Sequence, residues 1–407
     1  MNTVIFDDRL WCNFKPLSYT RSVGDIRVGI LKLRQRIVSY MNSDSTAIII
    51  PSILEKLYRE RHPEWSVNVC PVEECYYVNS RIKITDVIMK EIEQLQSGDV
   101  IMSHGIVVAF RYQGDGKHAS TESIDSIAAL CKNEKEINAD FWTHNWDFIS
   151  ENKEWIKKDF DEFFYEKDNL FETEMGVTVL NPYQVWIGEG VEIKPGVVID
   201  ASEGPVVIDE NAMIMANAVI IGPTYIGKGS IIKVAAKIYE GSTIGPMCKI
   251  GGEIEDSIIH GYSNKQHDGF LGHSYLGEWV NIGADTNNSD LKNNYGHVKM
   301  YSYPEGNKIN TGLQFLGCVL GDHTKLGINC SINTGCVTGT ACNLYGKDLI
   351  SDYIPDFSWG EGKDLVIHKV EKFIETAKLV KMRRKMLFTK TEENIFKSVY
   401  EEIHGMR

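Results

Sequence analysis

The sequence predicts three consecutive parts: an α/β domain over residues 1–175, a left-handed parallel β-helix of hexapeptide repeats over residues 176–345, and a C-terminal helical segment over residues 346–407. Short apolar runs alternating with helical periodicity predict the first part. An aliphatic residue that recurs every six positions between Ile187 and Ile250 predicts the second. Helical spacing of apolar residues after Asp356 predicts the third.

The α/β domain is indicated by apolar runs of the kind that form buried strands, at Val4–Phe6, Ala47–Ile50 and Ile106–Phe110. Between the first two runs, steps of three and four residues predict one amphipathic helix whose apolar face carries Val23, Ile26, Ile30, Leu33 and Ile37. Strands separated by helices favour a mostly parallel sheet, which binds ligands beyond the carboxyl ends of its strands. Asp7 and Asp8 follow the first strand at such an end.

The six-residue period matches neither a helix, with about 3.6 residues per turn, nor a strand, with a period of about two. It fits short strands wound round a three-sided prism, in which each hexad gives one side and one inward aliphatic residue. The period is followed by Ile187, Ile193, Ile199, Ile208, Ile214, Ile220, Ile226, Ile232, Ile238, Ile244 and Ile250, and it returns at Leu276, Ile282, Leu320, Leu326 and Ile332. A polar insertion from Asp285 to Lys308 interrupts it, and the C-terminal helices are expected to cap the prism.

Composition limits the class of protein. The 407 residues suffice for two or three domains, and the formal charge of -13 disfavours nucleic acid or an anionic membrane as a partner. Apolar runs fall far short of the roughly 18 residues that span a membrane, and the N-terminus has no signal pattern. The nine cysteines are scattered and are expected to be reduced thiols, so we expect a soluble cytoplasmic protein.

Polar residues break the hexads between Lys265 and Gly272, and again in the turns that begin at Asn281 and Asn293. The stretch has a histidine at 267, an aromatic residue at 270, an Asn-Ile-Gly-Ala turn at 281–284 and an Asn-Tyr turn at 294–295. This pattern resembles the bifunctional family of UDP-N-acetylglucosamine synthesis, which joins glucosamine-1-phosphate acetyltransferase to N-acetylglucosamine-1-phosphate uridyltransferase activity. The chain departs from the family at Phe270, where Tyr is usual, and at Asp285, where Gly is usual.

The resemblance implies an acetyl-CoA-dependent enzyme, trimeric through the prism, with sites shared between neighbouring subunits. His267 is the expected general base, because a neutral imidazole suits deprotonation of an ammonium near pH 7. Asn281 and Asn294 are expected to orient the sugar or the imidazole, and the backbone N–H of Ala284 to stabilise the thioester oxyanion. Phe270 lacks a hydroxyl that would bind the sugar phosphate, and Lys299 is a candidate to supply the missing positive charge.

The run from Phe14 to Arg21, followed by Asp25 to Leu31, resembles the shortened nucleotidyltransferase domain of a Bacteroidetes-type variant of that family. The resemblance implies an NTP and a sugar 1-phosphate as substrates. The usual Gly-rich phosphate loop is missing after the first strand, so phosphate binding is assigned to side chains. The candidates are Lys15, Arg21 and Arg27, with Asn79 and Arg81 as a second patch and with Asp7 or Asp8 as ligands of Mg²⁺.

Other interpretations stay open. His260, His267, His273 and His297 suggest a zinc site, although residues six apart lie on different faces of a prism. The basic cluster Lys378, Lys381, Arg383, Arg384 and Lys385 is either a solvated helix face or a contact for the 3′-phosphate of coenzyme A. Two further alternatives are a single-activity nucleotidyltransferase and a regulatory protein that binds a sugar nucleotide without turnover. The missing phosphate loop would permit the second.

Overall fold

The computed structural model describes residues 2–43, 47–167, 169, 171–362 and 364–405, and the chain divides into two compact units. The first unit contains Met1–Ile26, Leu31–His144 and Thr389–Ser398. The second contains Arg27–Ile30, Asn145–Phe388 and Val399–Arg407. The division near residue 144 differs from the predicted boundary at residue 175, because the helix that starts at Asn145 clusters with the second unit.

The first unit is built on a mixed sheet, which confirms the predicted α/β class. The strands in the N-terminal part of the chain are β1 Thr3–Phe6, β2 Arg27–Val28, β3 Leu31–Lys32, β4 Ala47–Ile49, β5 Ser66–Val67, β6 Glu74–Asn79, β7 Asp99–Ser103, β8 Ile106–Gln113 and β9 Asn133–Glu136. Seven of them form one sheet in the order β5-β4-β1-β6-β8-β7-β9. β1 lies between β4 and β6 and is parallel to both, so the carboxyl ends of β1 and β6 meet at one edge.

Short helices surround this sheet. The α-helices are α1 Leu33–Tyr40, α2 Glu55–Arg61, α3 Asp86–Glu93 and α4 Ile124–Ala128, and the 3₁₀ helices are Arg9–Phe14, Leu17–Tyr19, Val23–Asp25 and Ser52–Leu54. The predicted amphipathic helix from Val23 to Ile37 is therefore wrong in its first half. Gly29 adopts a φ of +66°, and a Cβ there would lie 2.8 Å from the backbone carbonyl carbon of Trp155, so the chain cannot continue as a helix through this position.

The second unit contains the left-handed β-helix, in which parallel strands stack on three faces and confirm the predicted fold class. The first face contains Thr178–Leu180, Val198–Asp200, Val219–Ile221, Lys237–Ile238, Glu253–Glu255 and Phe270–Gly272, and a separate sheet of Asn287–Asn288, Ser331–Ile332 and Leu349–Ile350. The second face contains Val185–Ile187, Val206–Ile208, Thr224–Ile226, Ser242–Ile244, Ile258–Gly261, Tyr275–Glu278, Cys318–Leu320, Cys336–Thr338 and Tyr353–Ile354. The third face contains Glu192–Ile193, Met213–Ile214, Ile231–Ile232, Lys249–Ile250, Asn264–Lys265, Asn281–Ile282, Lys325–Leu326, Asn343–Leu344, Ser358–Glu361 and Asp364–Ile367.

The predicted inward ladder forms the core of the prism. Parallel register places Ile226 against Ile208 and Ile244, and Ile232 against Ile214 and Ile250, so each aliphatic residue stacks on its counterpart in the next coil. These side chains are excluded from solvent. The ladder confirms that the six-residue period reports one inward position per face.

Additional elements complete the second unit. They are the helices α5 Asn145–Phe163 and α6 Val370–Met382, the 3₁₀ helix Pro182–Gln184, and the antiparallel hairpin of Lys299–Ser302 with Asn307–Asn310. A last helix, α7, spans Lys390–His404. Parallel pairing on the third face continues to Ser358–Glu361, beyond the predicted end of the β-helix at residue 345. Among the helices of the described residues, none combines the length and apolar character needed to cross a membrane.

We predict that Ile244→Ala lowers the free energy of unfolding by about 2–5 kcal/mol, because it opens a cavity in the ladder between Ile226 and Ile259. Urea denaturation followed by far-UV circular dichroism measures the change. Val234→Ala is the matched control, since that side chain is 56% exposed at a corner of the prism. Equal losses in the two variants would contradict the assignment of the ladder as the core.

Candidate functional site

The carboxyl ends of β1 and β6 bring together several predicted site residues of the first unit. Phe6 pairs with Asn79 in parallel register, so Asp7 and Asp8 leave β1 beside Ser80 and Arg81. All of these side chains are buried. The sequence placed Asp7 and Asp8 in one group and Asn79 and Arg81 in another, and the structure joins them into one cluster.

Asp8 is engaged in an internal ion pair. Arg81 Nε donates to Asp8 Oδ1 over 2.8 Å, and a second guanidinium nitrogen donates to Oδ2. Asn79 Nδ2 also donates to Asp8 Oδ2 (2.9 Å), and Arg81 donates to the carbonyl of Trp142 (2.7 Å). Arg81 has no solvent exposure. In this structure Asn79 and Arg81 thus hold Asp8 rather than present donors to a nucleotide.

Asp7 orients the loop that follows Arg21. Its carboxylate accepts from the hydroxyls of Ser80 (2.6 Å) and Ser22 (3.0 Å) and from the backbone N–H of Val23 (3.1 Å). Burial raises the pKa of Asp7 to about 6, although these hydrogen bonds oppose the shift. Asp7 is therefore a structural anchor between β1, β6 and the loop.

The described residues do not fit the predicted Mg²⁺ site. Both oxygens of Asp8 accept hydrogen bonds from protein donors, and Asp7 accepts hydrogen bonds from four residues. Within the described ranges, no group of three or more His, Cys, Asp or Glu side chains is arranged to hold a metal ion. The sequence showed carboxylates at a strand end, but it could not show the donors that β6 brings to them.

The predicted phosphate-binding cations differ in their surroundings. Lys15 is half-buried, with its ammonium 4.6 Å from the ring centre of Tyr19 and 5.4 Å from that of Trp11. Arg21 is buried and donates to the carbonyl of Leu17 (2.8 Å). Of the two, Lys15 has the more accessible side chain. We therefore keep Lys15 as the leading candidate of the first unit.

Arg27 belongs to the second unit, which sequence reasoning did not anticipate. Its guanidinium donates to the carbonyl of Ile30 and lies 5.4 Å from the ring centre of Tyr225. Its backbone N–H donates to Tyr275 Oη (3.2 Å), which in turn donates to the Arg27 carbonyl (2.9 Å). Arg27 thus fastens the strand Arg27–Val28 to the second face of the prism.

A buried ionic network in the first unit was missed by sequence reasoning. Asp25 accepts from Tyr58 Oη (2.6 Å), Arg34 (3.1 Å) and Lys32 (3.3 Å). Burial acts to raise the pKa of Asp25, but the Lys32 and Arg34 cations outweigh it and hold the pKa well below its usual range. Arg34 also stacks over the ring of Trp65 at 4.4 Å. The sequence signal was the pair of basic residues at the start of α1.

His267 lies in the turn between the third-face strand Asn264–Lys265 and the first-face strand Phe270–Gly272. We call residues 266–269 the His267 corner. The side chain of His267 is exposed, and no hydrogen bond to its imidazole occurs within the described part of the chain. The corner therefore presents the imidazole to solvent, as a general base that meets a substrate requires.

Lys265 braces the His267 corner from inside the prism. It occupies the inward position that pairs with Ile250, and it is only 1% exposed. Its ammonium donates to the carbonyls of His267 (2.8 Å) and Gly251 (3.2 Å). Burial lowers the pKa of Lys265 to about 8, although Asp268 and Asp285 oppose the shift. One ladder position is thus used to fix the backbone beneath His267.

The next coil brings two further predicted residues to this corner. Asn281 pairs in register with Asn264, and the Asp285 N–H donates to the Asp268 carbonyl over 2.9 Å. Ala284, which precedes Asp285, therefore lies on the coil that stacks on the His267 corner. Phe270 begins the strand after the corner, and its N–H donates to Asn287 Oδ1 (2.7 Å).

Asn294 and Lys299 are not joined to this group. Asn294 is exposed in the insertion, and its Oδ1 accepts from the Gly296 N–H (3.1 Å). Lys299 is exposed at the start of the hairpin Lys299–Ser302. Among the described residues, no hydrogen bond links either side chain to the His267 corner. Their predicted roles stay predictions.

His273 has a more specific environment than the sequence suggested. Its Nδ1 lies 2.9 Å from Asp290 and its Nε2 lies 3.6 Å from Asp256. Burial acts to lower the pKa of His273, but the two carboxylates outweigh it and raise the pKa above its usual value. His260 instead contacts Tyr275 Oη at 3.1 Å. The histidines of this region therefore occupy separate environments and do not form a zinc site within the described residues.

Comparisons with known proteins found a matching family and several similar proteins. The family of sugar nucleotidyl transferases matches residues 3–167. A bifunctional sugar-1-phosphate nucleotidylyltransferase/acetyltransferase of Sulfurisphaera tokodaii is 32% identical over 165 residues, 39% of this chain and 39% of the relative. The bifunctional protein GlmU of Synechococcus elongatus is 27% identical over 202 residues, 44% of this chain and 40% of the relative. The chain thus spans about two fifths of the length of these two relatives.

An uncharacterized acetyltransferase of Escherichia coli, YaiX, is 29% identical over 180 residues, 44% of this chain and 77% of the relative. Among solved structures, a UDP-N-acetylglucosamine acyltransferase of Bacteroides fragilis matches with 19% identity and a TM-score of 0.31, over 57% of this chain and 85% of that one.

These similarities define the class of protein that the chain resembles: residues 3–167 match the sugar nucleotidyl transferases, and part of the chain is similar to a bifunctional nucleotidylyltransferase/acetyltransferase. The resemblance to the bifunctional nucleotidyltransferase and acetyltransferase family is confirmed, at low identity and over part of each relative.

We predict that Arg81→Met lowers the free energy of unfolding by about 3–5 kcal/mol, because it leaves the Asp8 carboxylate buried without its partner. Urea denaturation of the full chain measures the loss. The double variant Asp8→Asn with Arg81→Met should recover part of it, and Lys15→Met should change little. A loss of less than about 1 kcal/mol in Arg81→Met would show that the pair does not hold the cluster together.

Proposed function

We propose that the protein transfers an acyl group, acetyl in the simplest case, from coenzyme A to the amine of an amino-sugar 1-phosphate. The observation that carries the proposal is the His267 corner, where an exposed histidine, Phe270 and Ala284 lie on one coil and the next. The similarity to bifunctional nucleotidylyltransferase/acetyltransferases supports the same reaction.

In the proposed step, the amine nitrogen attacks the thioester carbonyl carbon while His267 accepts a proton from the amine. The C–N bond forms and the C–S bond breaks. The leaving thiolate takes up the proton that His267 accepted, so coenzyme A is released as the thiol and the imidazole is neutral again. The Ala284 N–H is proposed to stabilise the oxyanion of the tetrahedral intermediate. Asn281 is proposed to orient the sugar from the third face. Asn294 and Lys299 would join the site in a homotrimer, where the insertion of a neighbouring subunit completes it.

A second proposed activity is nucleotidyl transfer from an NTP to a sugar 1-phosphate in the first unit, which the match to sugar nucleotidyl transferases favours. Lys15 and Arg21 are the proposed contacts of the triphosphate. The internal bonds of Asp7 and Asp8 favour the rival hypothesis, in which this unit binds a sugar nucleotide without turnover. We propose that both activities take place in the cytoplasm, where the free cysteines of the chain would stay reduced.

We predict that His267→Ala lowers the rate of thiol release from acetyl-CoA, with glucosamine 1-phosphate as acceptor, by about 10²–10⁴. His273→Ala should have a smaller effect, because Asp290 and Asp256 already occupy its ring nitrogens. His118→Ala is the matched control, since His118 is exposed and belongs to the first unit. Light scattering should give about three times the chain mass for every variant.

Equal rates for the parent and His267→Ala would refute the assignment of the base. A larger loss in His273→Ala than in His267→Ala would transfer the role to the His273–Asp290 pair.

We predict that Lys15→Ala lowers pyrophosphate release from UTP or dTTP by about tenfold or more, because a charge-assisted contact to phosphate is lost. The assay contains Mg²⁺ and a sugar 1-phosphate, with products identified by mass. Lys15→Arg should retain most of the rate, and acyl transfer should be unchanged in both variants. If the parent forms no sugar nucleotide from any pair of substrates, the first unit is a binding module and this proposal fails.

A further inference from the structure

The third face of the prism has a cavity of about 370 Å³, and the proposed acyl transfer uses only Asn281 of its lining. Strands of four successive coils form its floor, and the end of α6 with the residues that follow forms one wall. Its lining is Lys249, Tyr262, Asn264, Gln266, Trp279, Asn281, Lys325, Val380, Arg383 and Arg384. We call it the basic pocket. All of its residues belong to the second unit.

Four cations face this pocket: Lys249, Lys325, Arg383 and Arg384. Within the described residues, none of the four forms an ion pair with a carboxylate. Arg384 is held instead by a hydrogen bond to Asn264 Oδ1 (2.9 Å), and Lys325 donates to the carbonyl of Trp279. The chain has a net charge of -13, so it has enough carboxylates to pair these cations. The absence of carboxylates from the described residues of the pocket lining therefore favours an anion from outside the protein as the partner of the cations.

The pKa values of the two lysines in the pocket are lowered by burial and, for Lys249, by neighbouring cations. Burial lowers the pKa of Lys325 to about 7, with opposition from Asp322. Burial also lowers the pKa of Lys249, and the neighbouring Arg384, Lys233 and Arg383 cations add to the shift. A bound anion would offset the mutual repulsion of these groups.

The remaining lining suits an organic phosphate better than a bare ion. Tyr262 and Trp279 stack with ring centres 4.6 Å apart and an interplanar angle of 14°, which gives the pocket one aromatic side. Asn264, Gln266 and Asn281 add amide groups that bond to phosphate or sugar oxygens. Gln266 directly precedes His267, so the pocket adjoins the His267 corner.

We propose that the basic pocket binds the phosphate or diphosphate group of an organic ligand, within a single chain and between the prism and its own C-terminal segment. This inference goes beyond acyl transfer and does not depend on it. The phosphate comes from one of three sources: the acyl donor, the amino-sugar 1-phosphate, or a sugar nucleotide that regulates the enzyme.

Isothermal titration of the full chain tests the proposal, with inorganic pyrophosphate as the first probe and coenzyme A, glucosamine 1-phosphate and a UDP-sugar as separate arms. Arg383→Gln should weaken pyrophosphate binding by about ten- to a hundredfold, the loss expected for one charge-assisted contact. Lys249→Gln should have a similar effect. Lys385→Gln is the matched control, because it removes the same charge two residues from Arg383 but outside the lining.

The source of the phosphate is the probe that binds more tightly than pyrophosphate to the parent protein and no more tightly than pyrophosphate to Arg383→Gln. The proposal is overturned if no probe binds at millimolar concentration, or if Lys385→Gln weakens binding as much as Arg383→Gln. The His267 variants test acyl transfer separately, because they should change the rate of thiol release and leave pyrophosphate binding unchanged. Circular dichroism of each variant confirms that the change in affinity is not a change in folding.

Discussion

Stacking of one aliphatic side chain per face on its counterpart in the next coil is the constraint on which the second unit depends. Ile208, Ile226, Ile244 and Ile259 form one such column, with parallel pairing between successive strands. Because the column fixes the register of every coil, it also fixes which corner lies above which. The His267 corner and Ala284 are neighbours for this reason, although His267 and Ala284 are 17 positions apart in the sequence.

Lys265 shows how the same ladder supports a polar site. A lysine in an aliphatic column costs desolvation free energy, which hydrogen bonds to buried carbonyls offset. Here the carbonyls belong to Gly251 and His267, so the amine ties the core of one coil to the corner above it. The same position in the preceding coil is Ile250, which makes no such bonds. A departure from the hexad pattern therefore has a physical role: it holds an exposed histidine on a rigid backbone.

The sequence predicted the prism well because its signal is local, repeated and independent of distant contacts. It predicted the first unit less well, since Asn79 and Arg81, which bind Asp8, lie at the end of β6 and just after it, more than 70 positions away in the sequence. The helix expected from Val23 failed for a local reason: the pattern counted apolar positions but ignored Gly29, whose left-handed backbone ends any helix. The sequence analysis identified only Arg383 and Arg384 of the cations in the basic pocket. Lys249 and Lys325 are distant in the sequence and reach the pocket because their coils stack on one another.

Buried or crowded cations occur in both units, and their partners distinguish two uses. Arg81 and Arg34 face Asp8 and Asp25, so their charges are compensated within the protein and stabilise it. The cations of the basic pocket have no such partner among the described residues, and the crowded lysines there lose part of their basicity. An uncompensated cluster of like charges destabilises the folded chain, and a ligand that supplies the opposite charge would offset this cost. In this protein, cations that are paired with a carboxylate have a structural role, whereas cations without such a partner in the described part of the chain form the proposed binding site.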